Sequence, residues 1–133
     1  MTSANNTSVW QDAALLEQLN EIGKLDDGWD GYGAAGIDAA AIAHARSTLP
    51  GLTALPDAVL PSVAGTVLME WETAFGSASL EFGCESFSFY TSPTVGKAIL
   101  LGGAMRQFNV EDINFAVATV VASALPNAME GGH

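Results

Sequence analysis

At Pro61 the spacing of apolar residues changes from a helical period of about 3.6 to the strand period of 2. That switch limits the folds open to the chain. Upstream, Leu15, Leu19 and Ile22 recur as on one side of a helix, and Ile42, Ala45 and Leu49 do so again. Downstream, TVLMEWETA puts Val67, Met69 and Trp71 on one side of a strand and Leu68, Glu70 and Glu72 on the other. SASLEFGC continues the alternation, with Ala78, Leu80, Phe82 and Cys84 against Ser79 and Glu81. The order predicts an α+β fold: two N-terminal helices, a four- to five-stranded antiparallel meander, and a C-terminal helix packed on the sheet.

Local signals set the boundaries. Ser8 and Gln11 form a capping-box pattern, predicting a first helix from Val9 to about Leu25. Asp38 caps a second helix that Pro50 ends, and residues 50–61, with three prolines, read as an extended connector. A turn at Phe75 and Gly76 sets Trp71 opposite Leu80 and Met69 opposite Phe82. A second turn at Cys84 and Glu85 sets Phe82 against Phe87 and Leu80 against Phe89. KAILLGGAM offers a further strand, and Asn109 with Asp112 caps a last helix from Val110 to about Leu125. One domain over residues 9–126 is expected, with flexible tails at 1–8 and 127–133.

Charge bears on partners. The chain holds 15 Asp and Glu against 4 Lys and Arg, a formal charge of −11 over 133 residues. Such a field repels nucleic acid and anionic membranes and attracts basic proteins or cations. Its other reading is solubility alone. The single cysteine, Cys84, excludes an internal disulfide and fits a reducing compartment. The first residues resemble no secretory leader, so a cytoplasmic location is expected. The longest apolar run, FAVATVVASAL, is about half a membrane span.

Catalytic signals are few. His133 is the terminal residue, and His44 falls mid-helix among alanines, a solvated position. Cys84 reads as a small buried hydrophobe or a turn residue. GYGAAG matches a dinucleotide fingerprint in letters but follows a helix rather than a strand. Neither catalytic residues, a cofactor nor a metal is therefore expected. In the register above, Glu70 and Glu81 oppose each other with Glu72 one step along. They form an acidic patch for a basic partner, or else side chains splayed into water.

LDDGWDGYGAAGID, residues 25–38, holds Asp26, Asp27 and Asp30 with Trp29, Tyr32 and four glycines. Asp26, Asp30 and Gly31 fit a calcium loop, but Gly28 and Ile37 stand where ligands are needed. A metal protein or enzyme built on the three aspartates is the alternative of another class. The structural reading is a corner: Gly31 and Gly33 allow unusual backbone angles, the aspartates close turns, and Trp29 and Tyr32 plug the gap above the sheet. A partner-binding loop is the other reading.

Trp29, Asp30, Gly31, Gly33, Ala34 and Ile37, followed by Pro61, Gly65, Glu70 or Glu72, and Trp71, carry a resemblance. Over residues 15–90 the chain resembles a family of small bacterial and mobile-element proteins with a Trp-Asp-Gly-x-Gly-Ala-x-Pro-Ile pattern. Gly36 stands where that pattern has proline. The resemblance implies an architecture. Its mobile-element setting implies roles in phage–host conflict, such as anti-CRISPR inhibitors or antitoxins.

Two expectations follow. The first is a non-enzymatic inhibitor that mimics DNA, presenting Glu70, Glu72, Glu81, Asp26, Asp27 and Asp30 to a basic nucleic-acid-binding partner. An antitoxin or another small interaction module is its close alternative. The second concerns the last helix, which has no charged residue from Ile113 to Asn127. A helix apolar nearly all round is buried on both sides. Either a homodimer forms across Ala118, Ala122 and Leu125, or the helix is sunk between the sheet and the first two helices.

Overall fold

The structure is a computed structural model that describes residues 2–121, with side chains from Gln11 onward. Helices α1 (Thr2–Ile22) and α2 (Ala39–Thr48) precede strands β1 (Ala58–Pro61), β2 (Val67–Thr73), β3 (Gly76–Phe82), β4 (Ser86–Pro93) and β5 (Leu100–Ala104), and α3 (Val110–Val121) follows. The strands form one antiparallel meander in chain order. This is the expected α+β architecture with five strands.

Alternation explains the layering. Val67, Met69, Trp71, Ala78, Leu80, Phe82 and Phe89 share one sheet face and are buried. They pack with Leu15, Leu19 and Ile22 of α1, Ile42 and Ala45 of α2, and Ile113, Val117 and Val120 of α3 in one core. Trp71 anchors it, edge-on to Phe89 with ring centroids 6.4 Å apart. Its indole N–H donates to the Ala54 carbonyl at 2.9 Å. Asp38 caps α2 as expected, its Oδ1 accepting the Ala40 N–H at 2.7 Å. Asn109 does the same for α3 through the Glu111 N–H at 2.9 Å.

Several boundaries move. Helix α1 begins at Thr2, so Ser8 lies inside it rather than at its cap, and residues 2–8 are helical rather than a tail. Residues 127–133 lie outside the described residues. The proline-rich connector contains strand β1, which pairs with β2 from Ala58↔Glu70 to Pro61↔Val67. Pro61 is tolerated there because it ends an edge strand.

The β3–β4 register is as expected, with Phe82↔Phe87 and Leu80↔Phe89. The β2–β3 register is not. Trp71 pairs with Ala78 and Met69 with Leu80, so the turn falls at Ala74 and Phe75. This slides β3 by one alternation period, which keeps every side chain on its expected face.

Helix α3 buries Ile113, Ala116, Val117 and Val120, while Phe115 is 74% exposed and Ala118 is exposed. It is therefore not sunk between two layers. Ala122 and Leu125, the other residues expected at a dimer interface, lie outside the described residues.

Candidate functional site

The helices cover one face of the sheet, and the other carries the out-pointing side chains. Glu70, Glu72 and Glu81 all point there, as expected. The register changes their spacing: Glu70 pairs with Ser79, Glu72 with Ser77, and Glu81 with Leu68. Glu70 and Glu81 are therefore diagonal neighbours rather than direct opposites, and the repulsion expected of an opposed pair is relieved. Ser88 lies opposite Glu81 on β4. Asp57 joins the acidic strip at its β1 end, its Oδ2 accepting the Glu72 N–H at 2.6 Å. The connector reading of residues 50–61 hid this contribution.

Glu70 and Glu81 are half-buried and Glu72 is exposed; Glu81 differs from both in that the Thr66 hydroxyl donates to its Oε2. Around it lies a cleft of about 230 Å³ lined by Thr66, Glu81, Gly83, Ser86, Phe87 and Ser88. A carboxylate among three hydroxyls offers several acceptors at close range, which is what an ammonium or guanidinium requires. Among the described residues the only ion pair is Lys24–Glu21, on the surface of the molecule, so Glu81 has no ion-pair partner there.

The segment at residues 25–38 builds one wall of this cleft indirectly. Asp30 Oδ1 accepts the N–H groups of Tyr32 at 2.8 Å and Ala34 at 3.0 Å. Asp27 Oδ1 accepts the Gly36 N–H at 2.8 Å, and the Trp29 indole N–H donates to the Ala35 carbonyl at 2.8 Å. Gly31 and Gly33 adopt φ of 82° and 93°, angles that residues with a β-carbon rarely take. The corner thus formed grips the β1–β2 turn, through Ala35 N–H to Val63 O and Asp38 N–H to Gly65 O, each 2.9 Å. That turn, closed by Ser62 N–H to Thr66 O at 3.0 Å, carries Thr66 to Glu81. The opposite wall, the β3–β4 turn, is held by His44 Nε2 at 2.9 Å from the Cys84 carbonyl and by Met105 N–H to Glu85 O at 2.8 Å.

Comparison of this chain with protein-family models, with curated proteins and with solved structures gives no match. The reading of the site rests on its own residues.

Tyr32, Cys84 and His44 are placed otherwise than expected, whereas Asp27 and Asp30 close turns as the corner reading requires. Tyr32 is 93% exposed and plugs nothing; Trp29 alone turns inward, and only in part. Asp27 and Asp30 have carboxylate oxygens committed to the corner, and Asp26 is exposed beside them. No group of three or more metal-binding side chains occurs among the described residues. Cys84 is exposed in the turn rather than a buried hydrophobe, and His44 is half-buried rather than solvated, its ring 6.1 Å from that of Phe82.

The backbone donors of Tyr32, then Ala34, hold the Asp30 carboxyl below its ordinary value. The Asp38 carboxylate, then burial, then Glu85 push the Cys84 thiol up.

Proposed function

We propose that this chain is a non-enzymatic binding protein that receives a basic protein partner on the open face of its sheet, with a lysine or arginine side chain seated at Glu81. The observation that carries the reading is the half-buried Glu81 carboxylate in a hydroxyl-lined cleft, without an ion-pair partner among the described residues. Glu70, Glu72 and Asp57 extend the negative surface from that anchor toward β1. A partially desolvated acceptor on a rigid sheet is worth more to a cation than a free surface carboxylate, because competing water is already reduced. The sharper form is an inhibitor of the DNA-mimic, anti-CRISPR-like kind, covering a Lys/Arg surface that otherwise holds phosphates.

Expressing the tagged chain together with the genes that adjoin its own, and testing each captured protein for release of labelled duplex DNA, examines the proposal. A basic partner should bind more weakly as salt rises, and Glu81→Lys combined with Glu70→Lys should abolish capture. Capture that is indifferent to salt and to both substitutions overturns it.

A further inference from the structure

The two edges of the sheet are finished differently. On β1 the outward Val59 N–H is taken by Gln18 Oε1 of α1 at 3.3 Å, and the strand ends on Pro61. That edge is closed to further pairing. On β5, Ile99 and Met105 turn their main chain toward β4, accepting from Thr91 N–H at 2.9 Å and donating to Glu85 O at 2.8 Å respectively. Strand alternation then directs the N–H and C=O groups of Leu100, Gly102 and Ala104 away from the sheet. Nothing among the described residues pairs with them.

Beside that edge runs an apolar groove. Among the described residues, helix α3 packs chiefly on β2, β3 and β4 and leaves a gap beside β5. The gap, about 380 Å³, is lined by Ile99, Leu101, Asp112, Phe115 and Ala116. Asp112 is exposed and also lines an adjoining cleft of about 130 Å³ with Leu101, Gly102 and Gln107. Phe115 is 74% exposed and Leu100, on the other face of the strand, 77%.

We infer that the β5 edge is a strand-addition site for an extended segment of another protein whose side chains alternate apolar and basic. Unpaired main-chain groups require an extended occupant, since only a strand can satisfy them in register. The groove sits on the inner side of β5, so alternate side chains of an added strand enter it and must be apolar. The charge of −11 on the whole chain selects cations for the remaining side chains, which face away from the groove. The same charge disfavours a second copy, which would bring two bodies of −11 together. The groove shares no lining residue with the Glu81 cleft, the adjoining cleft shares only Phe87 with it, and neither Leu100 nor Phe115 lines it, so either site can fail alone.

The test uses the full chain and a fluorescein-labelled peptide alternating isoleucine and lysine. Saturable binding is expected, with protection of the Leu100, Gly102 and Ala104 amides from hydrogen exchange. Leu100→Pro removes one outward donor at the first residue of an edge strand, where proline is tolerated, and should weaken binding about tenfold. Phe115→Asp, at an exposed position that folding does not depend on, should weaken it comparably and guards against misfolding of the proline variant. A peptide with serine in place of isoleucine should not bind. Equal binding of the serine peptide, or affinity unmoved by both substitutions, overturns the inference. So does a dimer mass by light scattering that Leu100→Pro returns to monomer, which would assign the edge to a second copy.

Discussion

A β-carbon on Gly65 would stand 2.9 Å from the carbonyl oxygen of Gly36, closer than real β-carbons approach backbone. Gly65 also holds φ of 88°. The contact lies where the corner at residues 25–38 grips the β1–β2 turn, so the corner and the turn depend on one missing side chain. Gly65→Ala should therefore lower stability by about 2 kcal/mol, combining backbone strain with displacement of Gly36. Denaturant unfolding measures it. Because the corner is bonded to this turn, faster amide exchange should spread to Ala35 and Asp38, whereas a purely local strain would leave them unchanged.

Trp71 joins the sheet to the segment before β1. Its ring is 2% exposed, and its indole N–H supplies the Ala54 carbonyl. Trp71→Phe keeps an aromatic ring but leaves a void and an unpaired carbonyl. A loss of about 2–3 kcal/mol is expected, part from packing and part from the orphaned acceptor. The check is a denaturation curve with unchanged slope and a lower midpoint.

The inner sheet face, the Asp38 cap and the β3–β4 register were legible because each rests on a strong local rule. The β2–β3 register was not. Sliding β3 by one alternation period buries the same residues, so hydrophobic pattern cannot choose between the two pairings. Gly76 is the first residue of β3 rather than a turn residue, paired with Thr73 and with Pro93, and a β-carbon there would meet the Ser92 carbonyl at 2.6 Å. The Glu81 cleft was illegible for the same reason: it needs the true pairing, and it needs Thr66 delivered by a turn that a distant corner supports. The aspartates of that corner read both as turn-closers and as ligand candidates, because carboxylates that accept backbone N–H groups look, in sequence, like carboxylates that are free.

Asp30 makes that distinction measurable. Its carboxyl is held below the ordinary value of 3.8 by the Tyr32 and Ala34 N–H groups. A depressed folded value means that the stabilisation is fully present above the unfolded pKa and disappears as pH falls through the folded one. Asp30→Asn should therefore melt at a lower temperature than the parent at pH 7. The gap should close as pH drops below about 4. Melting temperatures recorded across that range would show a constant gap instead if the carboxylate charge had no part in the corner.

Cys84 gives a probe of the cleft itself. The thiol is exposed in the β3–β4 turn, one residue from Gly83 of the cleft wall. Asp38, foremost, then burial and Glu85 raise its pKa, so less thiolate is present at a given pH than for a free cysteine. Reaction with a disulfide reagent near pH 8 should be slow and should accelerate in high salt, which screens both carboxylates. Glu85→Gln should accelerate it too, and it leaves Asp38 in place as the α2 cap. A reaction rate unaffected by salt or by Glu85→Gln would mean that access, not charge, limits the thiol. With the parent chain behaving as expected, a basic partner seated at Glu81 should then shield Cys84 in proportion to occupancy, and the Glu81→Lys variant should show no such shielding.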